Sequence, residues 1–433
     1  MTASLLAKCE RCGRTYVHER YLVCPHCGGL VRPVYKPRWE TQAGEGVWRF
    51  SSLLPGIKEK VTLGEGSTPL LRAGRAVEGD LVAWFKDETR NPTGSFRDRA
   101  AALMVSDALS SKQRRVVLAS DGNTGASIAA YSARAGLSAT IYVPEWVEEE
   151  KIILMKSFGA RVIVDNRSLD ELLEYVEERS RKEGLYNASS TFNYLSVQGL
   201  KTIAFEIYEK LGSSVEAVYL PLGSGLTLLS LYLGFKELVE LGVMGKVPLL
   251  VGVEPCGRPL YASALYNVSP CGEEPLPGLR YYRPVIYEHV LRLIEENGDV
   301  VTVTRKQAIE AAERLSRNEG LFAEASSAVG FAGFLKQPLD KSVVLVTSHG
   351  LKSPEAYARA RRLKFTEVFP GVTKRLILEV LTNHPGLTGY EVWKKLGLNI
   401  SPQAVYQHLR ELASKGLVKV VEEGGRKRYY VEK

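Results

Sequence analysis

Apolar positions along the chain follow two alternating rhythms. Short runs rich in β-branched residues fall at 116–120 (VVLAS), 139–143 (ATIYV), 161–164 (RVIV), 217–220 (AVYL), 249–253 (LLVGV) and 343–347 (VVLVT). Between them stand longer stretches of helical period, among them the alanine-rich 126–135 and the segment 147–158. Strands alternating with helices predict a parallel sheet covered on both faces, an α/β fold. In such sheets ligands bind beyond the carboxyl ends of the strands. Three turns lie at those ends: Ser120-Asp121-Gly122-Asn123-Thr124-Gly125, Gly223-Ser224-Gly225-Leu226-Thr227 and Thr347-Ser348-His349-Gly350. Glycine-bearing turns that feed helix N-termini present backbone N–H groups and suit anions such as phosphate. One such turn is ordinary geometry; three on one predicted sheet edge outline a site.

Beyond residue 355 the pattern changes. Residues 355–364 (EAYARARRLK) read as a basic connector, part of a linker over 356–370. Residues 372–383 carry a helical stripe of Leu376, Ile377, Val380 and Leu381. Thr388 and Glu391 have capping-box spacing at the head of a second helix, which Gly397 ends. Ser401-Pro402 opens a third helix running to about Ser414. Two runs, 418–421 and 427–431, flank a hairpin turn at Glu423-Gly424-Gly425. Three helices and a hairpin resemble a winged helix-turn-helix over 371–433, whose third helix enters the major groove of double-stranded DNA. Its stripe of Ala404, Val405, Leu409 and Leu412 faces inward and leaves Gln403, Tyr406, Gln407 and Arg410 outward. Glutamine and arginine read base edges. Arg426, Lys427 and Arg428 on the hairpin suit phosphate or minor-groove contact. Such modules act as dimers on two half-sites, so a homodimer is expected. A protein-interaction domain is the other reading.

Composition changes this picture little. The chain has 433 residues, 45% hydrophobic and 24% charged, which is ordinary for a globular protein. The net charge of +8 permits an anionic partner, but its placement says more. From Phe365 onward, 11 lysines and arginines stand against 7 acidic residues. No apolar run approaches the ~18 residues of a membrane helix. The start, MTASLLAKCERCG, lacks the basic flank and apolar length of a signal peptide, so a cytoplasmic protein with no membrane partner is expected.

Four of the six cysteines form two Cys-x-x-Cys knuckles, Cys9 with Cys12 and Cys24 with Cys27. Four thiolates suit a tetrahedral Zn²⁺ and leave no open coordination position, so the metal is structural. Gly13 and Gly28-Gly29 follow the knuckles, where the chain must turn tightly. The loop between them is slightly short for this spacing; two disulfides or reduced thiols are the alternatives. Residues 1–33 thus read as a zinc ribbon. Residues 34–62, with proline and exposed-looking aromatic positions, read as a connecting arm. Cys256 and Cys271 lack such spacing and read as ordinary thiols.

Residues 63–355 resemble threonine synthase, of the fold-type-II pyridoxal-phosphate (PLP) enzymes. The matching segments are LGEGSTPL (63–70), KDETRNPTGSF (86–96), SDGNTG (120–125), QGLKTIAFEI (198–207), GFKEL (234–238), EGLFAEASSA (319–328) and TSHGLK (347–352), in the family's order. The resemblance implies two parallel-sheet subdomains and a cofactor site. In the family the motif reads NPTGSFKDR, and its lysine holds PLP as a Schiff base and moves protons. Here Arg97 stands in that place. A guanidinium stays protonated and supplies no free amine. The resemblance also implies cofactor contacts at Asn123 (ring hydroxyl), Thr347 (pyridine nitrogen) and the loop Gly223, Ser224, Gly225 and Thr227 (phosphate). Three departures accompany Arg97. Leu226 stands where a small residue is usual. Ser196 stands where the family carries a phosphate-binding arginine. Asp121 replaces a small neutral residue. Lys86 and Lys201 lie in matched motifs with places of their own, so neither is expected to substitute as the Schiff-base amine.

These readings converge on a DNA-binding transcription regulator. Its synthase-like domain keeps the fold without the catalytic lysine, and senses a small molecule or serves as a dimer scaffold. The candidate effectors are non-covalent PLP, an amino acid or a phosphorylated precursor. The rival is a working PLP-dependent lyase that converts phosphohomoserine to threonine and carries a DNA-binding tail.

Overall fold

The computed structural model describes residues 5–42, 44, 46–274, 276–354, 372–397, 400–414, 416–423 and 426–432. They form two compact units, divided between Ser353 and Pro354. The basic connector, the linker and the Gly424-Gly425 turn lie outside the described residues. Among the described residues no helix is long and apolar enough to cross a membrane.

The first unit is built on two large sheets, with a third, small one at the N-terminus. One has six strands in the order Gly298–Val303, Leu249–Pro255, Ala217–Pro221, Ser342–Val346, Ala83–Asp87 and Leu70–Arg72. The first five run parallel and the edge strand Leu70–Arg72 is antiparallel. The other sheet has four parallel strands in the order Arg161–Asp165, Ser138–Pro144, Arg115–Ala119 and Tyr186–Asn187. Helices cover both faces, so the central strands read as continuous apolar runs rather than alternating ones. Val343, Val344, Leu345 and Val346 are all buried, as are Val218, Tyr219 and Leu220 beside them. This is the expected α/β, fold-type-II architecture. Each predicted strand falls within two residues of an observed one; helix Asn123–Ala135 covers the predicted stretch 126–135, and helix Glu149–Ser157 lies inside the predicted 147–158.

Two expectations need correction. The aromatic positions of the connecting arm, 34–62, are not exposed: Gly46–Leu53 is a 3-10 helix whose Val47, Phe50 and Leu53 are fully buried. Trp39 meets Phe205 and Tyr208 edge-on. The aromatic residues that look exposed in sequence thus pack against helix Thr202–Leu211. Cys256 and Cys271 are not ordinary thiols but a disulfide. The backbone of Cys271 returns to the end of strand Leu249–Pro255, where its N–H donates to Cys256 O at 2.9 Å, so the side chains meet without any motif spacing.

At the N-terminus, strands Ala7–Cys9, Thr15–Tyr16 and Val31–Pro33 form a small antiparallel sheet. The second unit packs helices Val372–Asn383, Gly389–Leu396 and Pro402–Ser414 around Ile377, Leu381, Val392, Val405, Leu409 and Leu412. Strand Leu387–Thr388 pairs with Arg426–Val431, which pairs with Val418–Glu423. The expected capping box at Thr388 and Glu391 is present, and Gly397 ends its helix in the left-handed region at φ 58°.

Candidate functional site

The carboxyl ends of strands from both sheets converge on one cavity of about 50 Å³. One buried water needs roughly 10–15 Å³ of such space, so several waters fit. Every predicted cofactor residue lines it: Arg97, Asn123, Gly223, Ser224, Gly225, Thr227 and Thr347. Each position follows from the fold. Arg97 opens helix Arg97–Ser110. Asn123 opens the helix after strand Arg115–Ala119. The glycine loop joins strand Ala217–Pro221 to the 15-residue helix Leu226–Glu240. Thr347 follows strand Ser342–Val346.

Several polar atoms here lack partners. Arg97 Nη1, Asp121 Oδ2 and Asn123 Oδ1 are buried without a hydrogen bond among the described residues. The Arg97 guanidinium lies over the Phe96 ring, 4.6 Å from its centroid. Asn123 Nδ2 donates to Glu324 at 2.7 Å, which fixes the amide so that Oδ1 is the free end. Burial pushes the Asp121 carboxyl up, against the pull of Arg97 and Lys151. Buried polar groups in folded proteins are rarely left unpaired, so these three have capacity for water or a ligand.

The glycine loop has a packing reason as well. Gly225 sits at φ +83°, and a Cβ there would stand 2.5 Å from Val290 Cγ2. No side chain caps the helix it precedes. Leu226 N reaches Ser224 Oγ at 3.4 Å, and the next amides of that N-terminus are open to solvent or a ligand. Leu226 is turned into the core. Ser196 is fully buried and donates to Ser190 O and Asn193 O, so the phosphate-binding function of the family's arginine has no replacement at that position.

Sequence reasoning missed two lysines. Lys151 lines the cavity with only 2% of its side chain exposed, 3.0 Å from Glu324 and 3.3 Å from Glu148. Burial works against its charge, but Glu324 and Glu148 hold its pKa above the ordinary lysine value. It is an ion-paired cation, not a free amine. The lysine stem passes so close to Gly122 that a Cβ there would lie 2.3 Å from Lys151 Cδ. Lys352 Nζ donates to Thr93 O at 2.9 Å beneath the turn that carries Arg97. Burial lowers its pKa to about 8, with Glu324 and Asp98 resisting. The available signals were the i, i+4 pairing of Lys151 with the buried Met155, and the lysine that closes TSHGLK. Lys86 and Lys201 are buried at 2.6 Å from Glu206 and Glu237 and lie outside the cavity lining.

Residues 61–349 match the family of pyridoxal-phosphate dependent enzymes. The chain belongs to this family. Threonine synthase of Methanocaldococcus jannaschii is 32% identical over 407 residues, spanning 87% of this chain and all of that protein. Threonine synthase of Halalkalibacterium halodurans is 33% identical over 320 residues, 70% of this chain and 88% of that protein. A hydrogen sulfide-producing enzyme of Fusobacterium nucleatum shares the fold, with a TM-score of 0.57 at 24% identity, covering 66% of this chain and 97% of that one. The family's cofactor is an aldehyde, and aldehydes are held covalently by lysine amines. At position 97 the structure has a guanidinium, and Lys151 is paired twice. This donor set does not match a cofactor held through a lysine.

The four knuckle cysteines converge as predicted, with their sulfurs all within 4.8 Å of one another. Cys9 and Cys27 lie 3.4 Å apart, Cys12 and Cys24 3.8 Å. Ligands at about 2.3 Å from a tetrahedral zinc stand roughly 3.8 Å apart, so the residues fit that metal. The knuckles match: Gly13 N donates to Cys9 O and Gly28 N to Cys24 O, both glycines at positive φ.

In the second unit Gln403, Gln407, Arg410, Arg426 and Lys427 are exposed. Two of the predicted DNA contacts also make contacts within this unit. Tyr406 is half-buried against Gly389, where a Cβ would come within 2.2 Å of its ring. Arg428 is half-buried and donates to Gly386 O at 2.6 Å.

Proposed function

We propose that this chain is a DNA-binding transcription regulator whose PLP-family domain senses a small molecule rather than transforming one. The observation that carries the reading is Arg97, a guanidinium in the catalytic lysine's place that lines the cavity with its buried Nη1 unpartnered among the described residues. The ion pairing of Lys151 supports it, because a held cation is no nucleophile. A winged-helix assignment of residues 371–433 is supported by the order helix, short strand, two helices and hairpin. In this reading Gln403, Gln407 and Arg410 face base edges, and Arg426 and Lys427 meet phosphate. Two copies bind two half-sites, and the ligand acts through unequal affinity for DNA-competent and DNA-incompetent states. The four cysteines hold a structural Zn²⁺.

Anisotropy titration of a labelled random-sequence 30-mer duplex with the full chain tests the output. Affinity is expected to fall steeply with salt, with Arg426→Ala plus Lys427→Ala reducing the log–log slope by about 1–2. Absence of binding at low salt, or a slope untouched by the double variant, rejects the DNA assignment. The similarity to threonine synthases favours the second reading, a working synthase. Threonine formed from phosphohomoserine by the wild-type chain with added PLP would establish it.

A further inference from the structure

A groove of about 790 Å³ opens in the second unit between helices Gly389–Leu396 and Pro402–Ser414 and the hairpin. Sites for small organic molecules run to about 300–1,000 Å³, so a nucleotide is of the right size. Tyr406, Arg410 and Ala413 recur at helical spacing and form one wall. Tyr390 lines the groove with 55% of its surface exposed. Its ring lies 5.3 Å from that of Trp393, whose Nε1 donates to Ile400 O at 2.7 Å. The Tyr390 ring is thus braced by a fixed neighbour while most of it meets solvent. Base-edge reading has no use for such a ring. The side chains of Arg410, Arg426 and Lys427, also at the groove, have no hydrogen bond or ion pair among the described residues. The nearby carboxylates are mostly engaged: Glu391 closes the capping box with Thr388, and Glu423 holds Arg428 at 3.4 Å. Among the described residues, Glu422, opposite Lys427 in the hairpin register, is left to offset the three cations.

A closed duplex offers this groove phosphates and base edges, because its base faces are stacked inside. An unpaired nucleotide offers phosphate to the cations and a ring face to the tyrosines, the combination by which proteins hold single strands. We propose that the groove takes an unpaired nucleotide of a DNA strand, so that the chain prefers a locally opened duplex to a closed one. The base stacks on Tyr390, with Tyr406 beside it, and the flanking phosphates meet Arg426 and Lys427. No covalent bond changes. This inference rests on the reading of the second unit as a DNA-binding module, and it adds Tyr390, which that reading does not use.

Anisotropy titration of the full-length chain compares a labelled closed duplex with the same duplex carrying a short central mismatch. The mismatched duplex is expected to bind about 10-fold more tightly, within what one stacked base supports. Tyr390→Ala is expected to bring that ratio to about 1, whereas Tyr390→Phe, which keeps the ring, retains it. A ratio near 1 in the wild type overturns the proposal, as does a preference that survives Tyr390→Ala. If Tyr390→Ala fails to fold, the ratios of the wild type and Tyr390→Phe decide. Free thymidine monophosphate is expected to compete at least ~10-fold more weakly than a thymidine-rich single strand, because one phosphate releases fewer counterions. Competition as strong as the strand's would make this a free-nucleotide site and overturn the strand assignment. No binding of either duplex at low salt rejects the DNA reading itself. Equal binding of the two duplexes leaves that reading standing and removes only this inference.

Discussion

Helix Arg97–Ser110 carries two arginines in its first turn, and they have opposite fates. Arg99 is fully buried and every polar end is used. Its Nε donates to Glu88 at 2.7 Å, Nη1 to Glu206 at 2.7 Å and Thr202 at 3.0 Å, and Nη2 to Glu88, Glu206 and Thr68. Lys86 joins Glu206 at 2.6 Å. Arg97, two residues earlier, faces the cavity with Nη1 unpartnered. A buried charge keeps its place in the interior only when partners replace its water. A fully paired arginine is therefore part of the scaffold, and an unpaired one at a cavity is held in reserve for something outside the chain.

The largest effect is expected where pairing is complete. Arg99→Met leaves Glu88 and Glu206 buried with Lys86 alone, and removing one partner of such a network costs about 3–5 kcal/mol. Denaturant titration should show the midpoint fall at unchanged slope. A loss below about 1 kcal/mol would break the comparison, because Arg99 would then be no more committed than Arg97.

Next comes the carboxylate that ties the cavity wall together. Burial opposes the charge of Glu324, but Lys151 and Lys352, with hydrogen bonds from Ser348 and Asn123, hold its pKa down to about 2. A carboxyl depressed on folding adds stability above its ordinary pKa of 4.5, and that share is lost as pH falls from there to about 2. The loss is about 2–3 kcal/mol. Glu324→Gln should flatten this part of the acid limb while lowering stability at neutral pH. An acid limb identical in both proteins would show that Glu324 is not coupled to folding.

A smaller version of the same contrast appears in the second unit. Arg428 is bound to Gly386 O, whereas Arg426 and Lys427 are exposed. Arg428→Ala should weaken amide-exchange protection across 372–432 in the full chain by about 1 kcal/mol. Arg426→Ala should leave protection alone and alter only the salt dependence of DNA binding. Equal effects on protection would erase the distinction.

These contrasts also explain what the sequence could show. The strands of both sheets were legible because fully buried parallel strands are continuous apolar runs between glycine turns. The cavity was legible because its glycine turns recur at the same end of successive strands. Pairing was not. Arg97 and Arg99 look alike in FRDRA, and only the three-dimensional meeting of strand Ala83–Asp87 with helix Thr202–Leu211 separates them. Lys151 follows three glutamates in sequence, but its burial depends on a glutamate 173 positions away. Cys256 and Cys271 close through a loop that no spacing rule describes. Tyr406 and Arg428 looked exposed because helical period gives a face but not its neighbours.

The smallest stability effect is expected at Arg97 itself. Among the described residues no hydrogen bond ties its guanidinium down, so Arg97→Lys should change the unfolding free energy by less than ~0.5 kcal/mol. Its chemical effect should be qualitative. A lysine there faces the same cavity as Asn123 and Thr347, without the two carboxylates that hold Lys151. Its neutral amine condenses with the added pyridoxal phosphate aldehyde, releasing water, and borohydride then fixes the linkage. Intact-protein mass should report one bound cofactor on Arg97→Lys and none on the wild type. A variant that stays unlabelled would mean that Asp121 and Leu226, not the missing amine alone, have remade the pocket. Label on both proteins would place a reactive amine elsewhere, and Lys151 would be the first to replace.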